Sequence, residues 1–347
     1  MDINEFFKEK SILITGGTGS FGKTLAKKLI SHFEPRRVII FSRDEWKQWE
    51  MRKESHEFND PRIRYFLGDV RDVQRLIRAF NDVDYVVHAA ALKQVPVAEY
   101  NPSEFVKTNV LGAINVVEAC ITSGVQKVIG LSTDKACYPV NLYGATKLCQ
   151  DKLFVNGNAY VGRKGYPIFS VVRYGNVIGS RGSIIPFWKN LLQNGRTSLP
   201  ITDKRMSRFW ITLDQAVDFV INCFSIARGG EIFIPKIPSM NIVDLANVVA
   251  PGIPHEFIGI REGEKLHEMM ISQEDARHSL ELKDHYVILP EAQSADQDFI
   301  RRFINERKGS FLPDGFEYTS DTNKHWLTEK ELNELVKSEK IQKISPQ

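Results

Sequence analysis

The segment SILITGGTGSFGKTLAKKLI, residues 11–30, decides the fold of this chain. An apolar run comes first, then Gly16, Gly19 and Gly22 at regular spacing, and then an amphipathic stretch typical of a helix. Glycines allow a tight turn and a close backbone approach, and the amino end of the helix then faces a pyrophosphate. Glycine spacing alone is weak evidence, since a glycine turn can be purely structural. A strand before it and a helix after it are the context that a dinucleotide site requires.

The first half of the chain repeats this strand–helix alternation. Strands are predicted at residues 11–15, 37–42, 62–67, 84–90, 127–132 and 167–174. Helices are predicted at residues 20–32, 44–57, 71–80, 102–123 and 143–161. Strands this apolar, alternating with helices, indicate an α/β fold with a doubly wound (Rossmann) parallel sheet covered on both faces.

The alternation breaks after about residue 175, where Gly, Pro and Arg become frequent. Residues 1–175 are therefore predicted to form the nucleotide-binding domain, and residues 209–236 to return to it with one helix and one strand. Residues 176–347 are predicted to form mainly a smaller C-terminal substrate-binding lobe and a closing helix. That helix begins with Thr328 and Glu331 at the spacing of a capping box.

Composition excludes several classes of function. The chain has 347 residues, 42% of them hydrophobic, and a net charge of +3 spread along its length. This balance favours neither nucleic acid nor a membrane surface as a partner. No apolar run reaches the roughly 18–20 residues of a transmembrane helix, and the start does not resemble a signal peptide. The four cysteines show no metal-ligand spacing, so we expect a cytoplasmic protein with reduced thiols and no metal site.

The end of the second strand bears on which dinucleotide binds. A carboxylate about 20 residues after the glycines would bind the adenosine ribose diol, whereas an arginine would accept a 2′-phosphate. Ser42 and Arg43 occupy this position, which favours NADP, and Asp44 keeps NAD open as the less favoured alternative.

Other predicted cofactor contacts lie in the glycine turn and at the ends of the first, third and fourth strands. Asp69 could bind the adenine amino group, and the small side chains of residues 89–91 would let the backbone pass close to the cofactor, although tight helix–sheet packing explains alanine equally well. The remaining contacts of this set are Thr15, Ser20, Phe21, Val70, Ala89, Ala90 and Ala91.

The segment LSTDKACYPVNLYGATK, residues 131–147, is predicted to carry the catalytic groups. Tyr143 and Lys147 are four residues apart at a helix start, so both side chains share one face. A tyrosine has a pKa near 10, and a nearby ammonium favours its phenolate. The lysine could also hold the nicotinamide ribose. In an arbitrary protein this pair would be solvated helix surface, but here it follows the fifth strand of a dinucleotide fold.

Four motifs resemble those of the extended short-chain dehydrogenase/reductase superfamily: TGGTGSFG (15–22), STDK (132–135), YGATK (143–147) and RYGNV (173–177). With RMSRFWIT (205–212) and REGEKLHE (261–268), the chain more narrowly resembles the soluble, inverting UDP-N-acetylglucosamine 4,6-dehydratases. The resemblance implies UDP-N-acetylglucosamine as substrate and a tightly bound NADP that is regenerated in each turnover. It also implies the first step of pseudaminic acid-type nucleotide-sugar biosynthesis and a homo-oligomer, from dimer to hexamer.

The resemblance also implies a role for each polar residue of the catalytic segment. Tyr143 would take the proton of the 4-hydroxyl, and Thr133 would hydrogen-bond the same oxygen. Lys135, neutral at that moment, would remove the C5 proton, and protonated Asp134 would donate to the departing 6-hydroxyl. Related epimerases need no Asp-Lys pair, so this pair separates a dehydratase from an epimerase.

These roles make two physical demands. Desolvation must lower the pKa of Lys135 and raise that of Asp134, whereas direct contact between the two would favour an ion pair, and a simple loop salt bridge is the alternative. Neighbours on a strand point to opposite faces. For both side chains to reach one sugar, the chain must leave extended geometry right after Thr133.

Several polar residues of the lobe are predicted to bind the UDP part of the substrate. Guanidinium groups match phosphate oxygens, and a carboxylate could take the uridine ribose hydroxyls. Each residue alone is better explained as a surface charge, but together, with glycines around them, they favour a UDP site. The predicted substrate-binding residues are Lys93, Asn176, Arg205, Arg208, Arg261 and Glu264. Three other functions stay open, namely a C5-retaining dehydratase, a UDP-sugar 4-epimerase and an NADP-sensing regulatory protein without catalysis.

Overall fold

The computed structural model describes residues 3–162, 165–180, 182–291 and 297–338. Its strands are β1 (Ser11–Thr15), β2 (Arg37–Ser42), β3 (Ile63–Leu67), β4 (Tyr85–His88), β5 (Lys127–Leu131), β6 (Ile168–Val172), β7 (Asn176–Val177), β8 (Leu199–Ile201), β9 (Ser207–Ile211), β10 (Ile232–Pro235), β11 (Ser239–Asn241), β12 (His255–Phe257), β13 (Met269–Ile271), β14 (Ser279–Glu281), β15 (His285–Ile288), β16 (Ser310–Phe311) and β17 (Tyr318–Thr319). Its α-helices are α1 (Ile3–Phe7), α2 (Ser20–His32), α3 (Glu45–Glu54), α4 (Val73–Phe80), α5 (Val95–Tyr100), α6 (Pro102–Phe105), α7 (Gly112–Ser123), α8 (Leu142–Gly157), α9 (Ile184–Gln193), α10 (Leu213–Ile226), α11 (Ile242–Val249), α12 (Gln273–Ala276), α13 (Gln297–Arg307) and α14 (Glu329–Ser338).

One ten-stranded sheet organises the molecule, in the order β16-β14-β15-β10-β6-β5-β4-β1-β2-β3. From β3 through β10 the neighbouring strands run parallel, and β1 is buried along its whole length. The strand order reverses between β1 and β4, so their carboxyl ends border the crevice in which such sheets bind ligands. The predicted doubly wound fold is confirmed, and the predicted strands at residues 11–174 correspond to β1–β6.

The sheet also contains strands that the sequence pattern did not predict. As predicted, β10 returns and pairs with β6 in parallel, but β15, β14 and β16 then extend the sheet in antiparallel order. These strands are two to four residues long, too short for a periodic apolar pattern to stand out. The boundaries of the two domains stay a prediction, and the predicted range 176–347 extends past the described residues.

A second hydrophobic core lies outside the sheet. It joins α9, β8, β9, α11 and α14, and its buried members include Trp188, Trp210, Leu245 and Leu332. The closing helix α14 begins with the predicted capping box, since the Thr328 backbone N–H donates to the Glu331 carboxylate at 2.8 Å and the Glu331 N–H donates back to the Thr328 hydroxyl at 3.3 Å. This core holds the elements that carry the predicted UDP ligands beside the sheet.

One helix, Pro102–Ser123, is long and apolar enough to cross a membrane by length and composition. It consists of α6, a π-helical segment (Val106–Leu111) and α7. Half of its most apolar window is buried inside the protein, and α7 packs on α4 and α8. Packing in the core therefore accounts for the buried apolar residues of this helix, whereas Val106, Leu111 and Ile114 are exposed. The sequence shows no uninterrupted apolar run here, because Lys107 and Glu118 interrupt it. The expectation of no membrane partner stays a prediction.

Candidate active site

The glycine turn after β1 forms a close-fitting cradle. Gly16 has a φ of +67°, and a Cβ at this position would lie 2.9 Å from the Ala90 backbone, so the turn presses against the end of β4. Gly19 is the N-cap of α2 and leaves the amino end of that helix free of side-chain bulk. Such a cradle fits a dinucleotide pyrophosphate.

Thr15 has a structural role, because its hydroxyl accepts from the backbone N–H groups of Ala89 and Ala90 at 3.2 Å.

The end of β2 offers Arg43 to the adenosine end of a cofactor. Asp44 is already used as the N-cap of α3, since its carboxylate accepts from the Lys47 N–H at 3.0 Å. The Ser42 hydroxyl is buried and accepts from the Gln48 amide at 3.0 Å. The Arg43 guanidinium is half-exposed and lies 3.5 Å from the Asp69 carboxylate. Arg43 is thus the residue of this strand end with donors available to a ligand.

The predicted catalytic segment bends directly after Thr133. Thr133 is still extended, with φ −151° and ψ 155°, and a 3₁₀ turn (Asp134–Ala136) begins at the next residue. The Thr133 hydroxyl donates to Asp134 Oδ1 at 2.9 Å, and the Lys135 N–H donates back to the same hydroxyl oxygen at 3.4 Å. The expectation that the chain leaves extended geometry directly after Thr133 is confirmed.

The glycine in YGATK lets α8 pack directly on this turn. A Cβ at Gly144 would lie 2.2 Å from the carbonyl oxygen of Lys135, a distance that no side-chain carbon tolerates. The helix is capped by Asn141, whose side-chain oxygen accepts from the Gly144 N–H at 2.7 Å. Tyr143 and Lys147 are thereby fixed next to Thr133 and its turn.

Tyr143 and Lys147 are both buried on α8, but their electrostatic roles differ from the prediction. Burial raises the pKa of Tyr143 to about 12, and the cation that most counteracts this rise among the described residues is Lys135 rather than Lys147. Burial also lowers the pKa of Lys147 to about 8. Its ammonium donates to the carbonyl of Leu131 at 2.6 Å and to the Gln150 side chain, so it is tied to the end of β5.

Asp134 and Lys135 form an ion pair, which was the alternative left open by the sequence. Lys135 Nζ lies 3.0 Å from Asp134 Oδ1 and 3.1 Å from a Glu268 carboxylate oxygen. Burial raises the pKa of Asp134 despite the ammonium, as predicted. Burial lowers the pKa of Lys135, but the two carboxylates outweigh it and the net shift is upward. The prediction that the Lys135 pKa falls is therefore wrong for this arrangement.

Sequence reasoning missed Glu268, which lies directly before β13. Its side chain is 2% exposed and also lies 3.6 Å from Arg208 Nε. A second group of buried polar side chains is centred on Asp151 of α8. The Asp151 carboxylate accepts from the Ser132 hydroxyl at 2.8 Å and pairs with the Arg173 guanidinium at 3.3 Å. Glu268 stands in the motif REGEKLHE, but nothing in that polar run distinguishes a buried acid from an exposed one.

The three predicted phosphate-binding arginines lie in different environments. Arg208 is mostly buried and donates to the backbone carbonyls of Lys265 and Leu266 at 2.9 and 3.1 Å, close to the catalytic turn. Arg205 is exposed and occupied by a two-bond pair with Asp203. The structure therefore brings Arg208, but not Arg205, into contact with the residues around Lys135.

The other predicted substrate ligands divide in the same way. Arg261 is exposed and lies 3.9 Å from Glu264, whose carboxylate accepts from the Thr202 hydroxyl at 3.3 Å. Asn176 begins β7, and its buried side-chain oxygen has no hydrogen-bond partner among the described residues, which suits a ligand contact. Burial, followed by the nearby Lys135, lowers the pKa of Lys93, so Lys93 belongs to the same pocket.

Comparison with known proteins agrees with this geometry. A family model described as "Polysaccharide biosynthesis protein" matches residues 12–290. The chain belongs to the polysaccharide biosynthesis protein family. Within this family it is 56% identical over 332 residues to a UDP-N-acetylglucosamine 4,6-dehydratase (inverting) of Campylobacter jejuni, covering 95% of this chain and 98% of that one. It is also 40% identical over 338 residues to a UDP-glucose 4-epimerase of Rickettsia massiliae, covering 95% and 96%.

Solved structures share the fold of this chain. Pen from Bacillus thuringiensis superposes with a TM-score of 0.85 at 36% identity, covering 97% of this chain and 99% of that one. DesIV, a dTDP-glucose 4,6-dehydratase from Streptomyces venezuelae solved with NAD bound, shares the fold at a TM-score of 0.66 and 22% identity, covering 86% and 98%. The family resemblance predicted from the sequence is confirmed.

Proposed function

We propose that this protein is an NADP-dependent UDP-N-acetylglucosamine 4,6-dehydratase that inverts C5 and gives UDP-2-acetamido-2,6-dideoxy-β-L-arabino-hex-4-ulose. The observation that carries the proposal is the turn after β5, which directs Asp134 and Lys135 to the same side as Thr133 and Tyr143. The Campylobacter jejuni relative supports both the substrate and the inversion.

The first half of the reaction makes C5 acidic. NADP, which the glycine turn and Arg43 would hold, would supply the hydride acceptor for C4 and the hydride donor for C6. The Tyr143 phenolate accepts the proton of the 4-hydroxyl, and the Thr133 hydroxyl orients the same oxygen. Lys135 favours the phenolate against the opposing effect of burial. The resulting 4-ketone makes the hydrogen on C5 removable, because it is now next to a carbonyl.

The second half removes water, and the ion pair is one proton transfer away from the state that this needs. Moving a proton across the 3.0 Å contact from Lys135 to Asp134 gives a neutral amine and a carboxylic acid. The amine takes the C5 proton, and the acid protonates the leaving 6-hydroxyl. C5 then takes a proton that comes from solvent on its opposite face, which inverts this centre, and Tyr143 releases its proton to solvent, which restores the starting charges. Burial of Asp134, which favours its protonated form, assists the transfer.

An epimerase is the second candidate, favoured by the relative of Rickettsia massiliae. Epimerisation needs Thr133, Tyr143 and Lys147, and it leaves C5, C6 and the Asp134–Lys135 pair unused. A C5-retaining dehydratase would use the same pair but return the proton to the face of C5 from which it left. Product structure separates all three.

Turnover of UDP-N-acetylglucosamine in D₂O is expected to give the L-arabino 4-keto-6-deoxy product with deuterium at C5, because the proton that C5 receives on its opposite face comes from solvent. NMR of the product without added cofactor checks this and also shows whether a cofactor copurifies. A D-xylo product would contradict inversion, and UDP-N-acetylgalactosamine would identify an epimerase.

Replacing Arg43 by serine is expected to weaken NADP binding by about 10- to 100-fold and NAD binding little, because one charge-assisted contact to the 2′-phosphate is lost. Titration of the cofactor-free protein with each dinucleotide measures this. Arg37→Ser is the control, because Arg37 is equally exposed at the opposite end of β2. Equal weakening for both dinucleotides at Arg43 would argue against 2′-phosphate recognition.

The proposal extends to cellular context as the resemblance implies it. The protein would act in the cytoplasm as a homo-oligomer at the first step of pseudaminic acid-type nucleotide-sugar biosynthesis, without nucleic acid or membrane partners. Mass photometry of the purified protein tests the oligomer, and a monomer at micromolar concentration would contradict it.

A further inference from the structure

The Lys135 ammonium is surrounded by charged and titratable side chains from several elements. Around it lie Asp134 on the same turn, Tyr143 on α8, Lys93 after β4, Arg208 on β9, and Lys265 and Glu268 before β13. Without Glu268, the ammonium would share this pocket with three other cations and a single carboxylate. A cation so placed is repelled from the pocket and is not held in one position.

Glu268 supplies the missing constraint. Its buried carboxylate contacts Lys135 Nζ at 3.1 Å, and the Asp134 carboxylate contacts the same ammonium at 3.0 Å. The backbone of Glu268 is fixed, because its N–H donates to the Ser320 hydroxyl at 2.9 Å, and Arg208 Nε lies 3.6 Å from its carboxylate. Attraction by the Lys135 and Arg208 cations keeps the pKa of Glu268 low despite burial, so it is anionic.

We infer that Glu268 is a positioning residue that holds the Lys135 ammonium against Asp134 and connects it to Arg208 of the substrate lobe. The inference rests on the proposed function, since it gives the Asp134–Lys135 pair a reaction to perform. Glu268 touches neither the sugar carbons nor the cofactor in this role. It fixes the amine within reach of the acid with which it must exchange a proton, and misplacement by about 1 Å can cost on the order of a hundredfold in rate.

Glu268→Gln is the informative substitution, because it removes the charge and keeps the shape. We expect kcat for dehydration to fall about 10- to 100-fold with a smaller change in KM. Quenched turnover should show a 4-keto sugar that still carries its 6-hydroxyl, because Tyr143 and Thr133 remain intact. The alkaline limb of the kcat–pH profile should move to lower pH, since the pair reacts while it holds one shared proton and loss of a neighbouring anion lowers the pKa at which Lys135 gives up that proton.

A second measurement needs no substrate. In the NADP-bound protein, a small amine-reactive reagent labels neutral amines, so Glu268→Gln should increase the labelling rate of Lys135 about tenfold or more relative to exposed Lys283 in the same sample. Glu262→Gln makes the same change at an exposed position of the same segment and should alter neither measurement. Glu268→Asp keeps the charge and should stay near the wild-type labelling rate, which guards against a folding defect in the Gln variant.

The outcomes separate the two ideas. Unchanged labelling and an unmoved pH profile in Glu268→Gln would overturn the inference, as would a rise in KM with kcat unchanged. Failure of the wild-type protein to produce any 4-keto-6-deoxy sugar would overturn the proposed function. In that case the labelling rates of Lys135 would still decide whether Glu268 holds its ammonium.

Discussion

Lys135→Met is expected to lower kcat for dehydration by about 10²–10⁴-fold, the usual contribution of a positioned general acid or base. Methionine keeps the length and apolar stem of the side chain and removes the amine. The 4-hydroxyl can still be oxidised, because Thr133 and Tyr143 remain, although more slowly, because Tyr143 loses the ammonium that favours its phenolate. Quenched turnover analysed by mass spectrometry should therefore reveal a 4-keto sugar that has not lost water, and C5 should take up little deuterium.

Lys135→Arg separates a base from a structural ion pair. A guanidinium can keep the contacts with Asp134 and Glu268, but it does not lose its proton in proteins. If Lys135 is the C5 base, the arginine variant should be about as inactive as the methionine variant while melting at nearly the wild-type temperature. Recovery of dehydration in the arginine variant would show that the residue at 135 serves only as the cation of a loop salt bridge.

The features that short stretches of sequence determine could be predicted well. The apolar runs of the first half form strands such as β1, which is buried throughout, and β5, in which only Lys127 is partly exposed, and their composition alone sets them apart from the amphipathic helices between them. The catalytic segment is local too, since residues 131–147 contain a strand end, a turn and a helix start. The bend after Thr133 could be predicted because chemistry demanded it.

The features that could not be predicted from the sequence depend on contacts between residues far apart in the chain. Arg205 and Arg208 stand three residues apart in one motif, yet one pairs with Asp203 at the surface and the other reaches the site. Glu268 meets Lys135 only because β13 lies against the turn after β5. The upward shift in the pKa of Lys135 follows from that meeting, so no inspection of residues 131–147 alone could have predicted it.

Tyr143→Phe is expected to lower kcat by about 10²–10⁴-fold as well, but at the earlier step. Only the phenol oxygen is removed, and the ring keeps its place among Ala98 and Phe105, so stability should change little. With no base for the 4-hydroxyl, quenched turnover should contain unreacted UDP-N-acetylglucosamine and no 4-keto sugar of either kind.

The pH dependence of the wild-type protein gives this prediction a second test. Because burial raises the pKa of Tyr143 to about 12, the phenolate fraction, and with it the rate of 4-keto formation, should increase from neutral toward alkaline pH. Tyr85→Phe removes the hydroxyl of another buried tyrosine, which donates to the Phe6 carbonyl at 3.4 Å, and should leave turnover unchanged. A 4-keto sugar formed at the wild-type rate by Tyr143→Phe would assign the base to another residue, and an early step insensitive to pH in the wild type would point the same way.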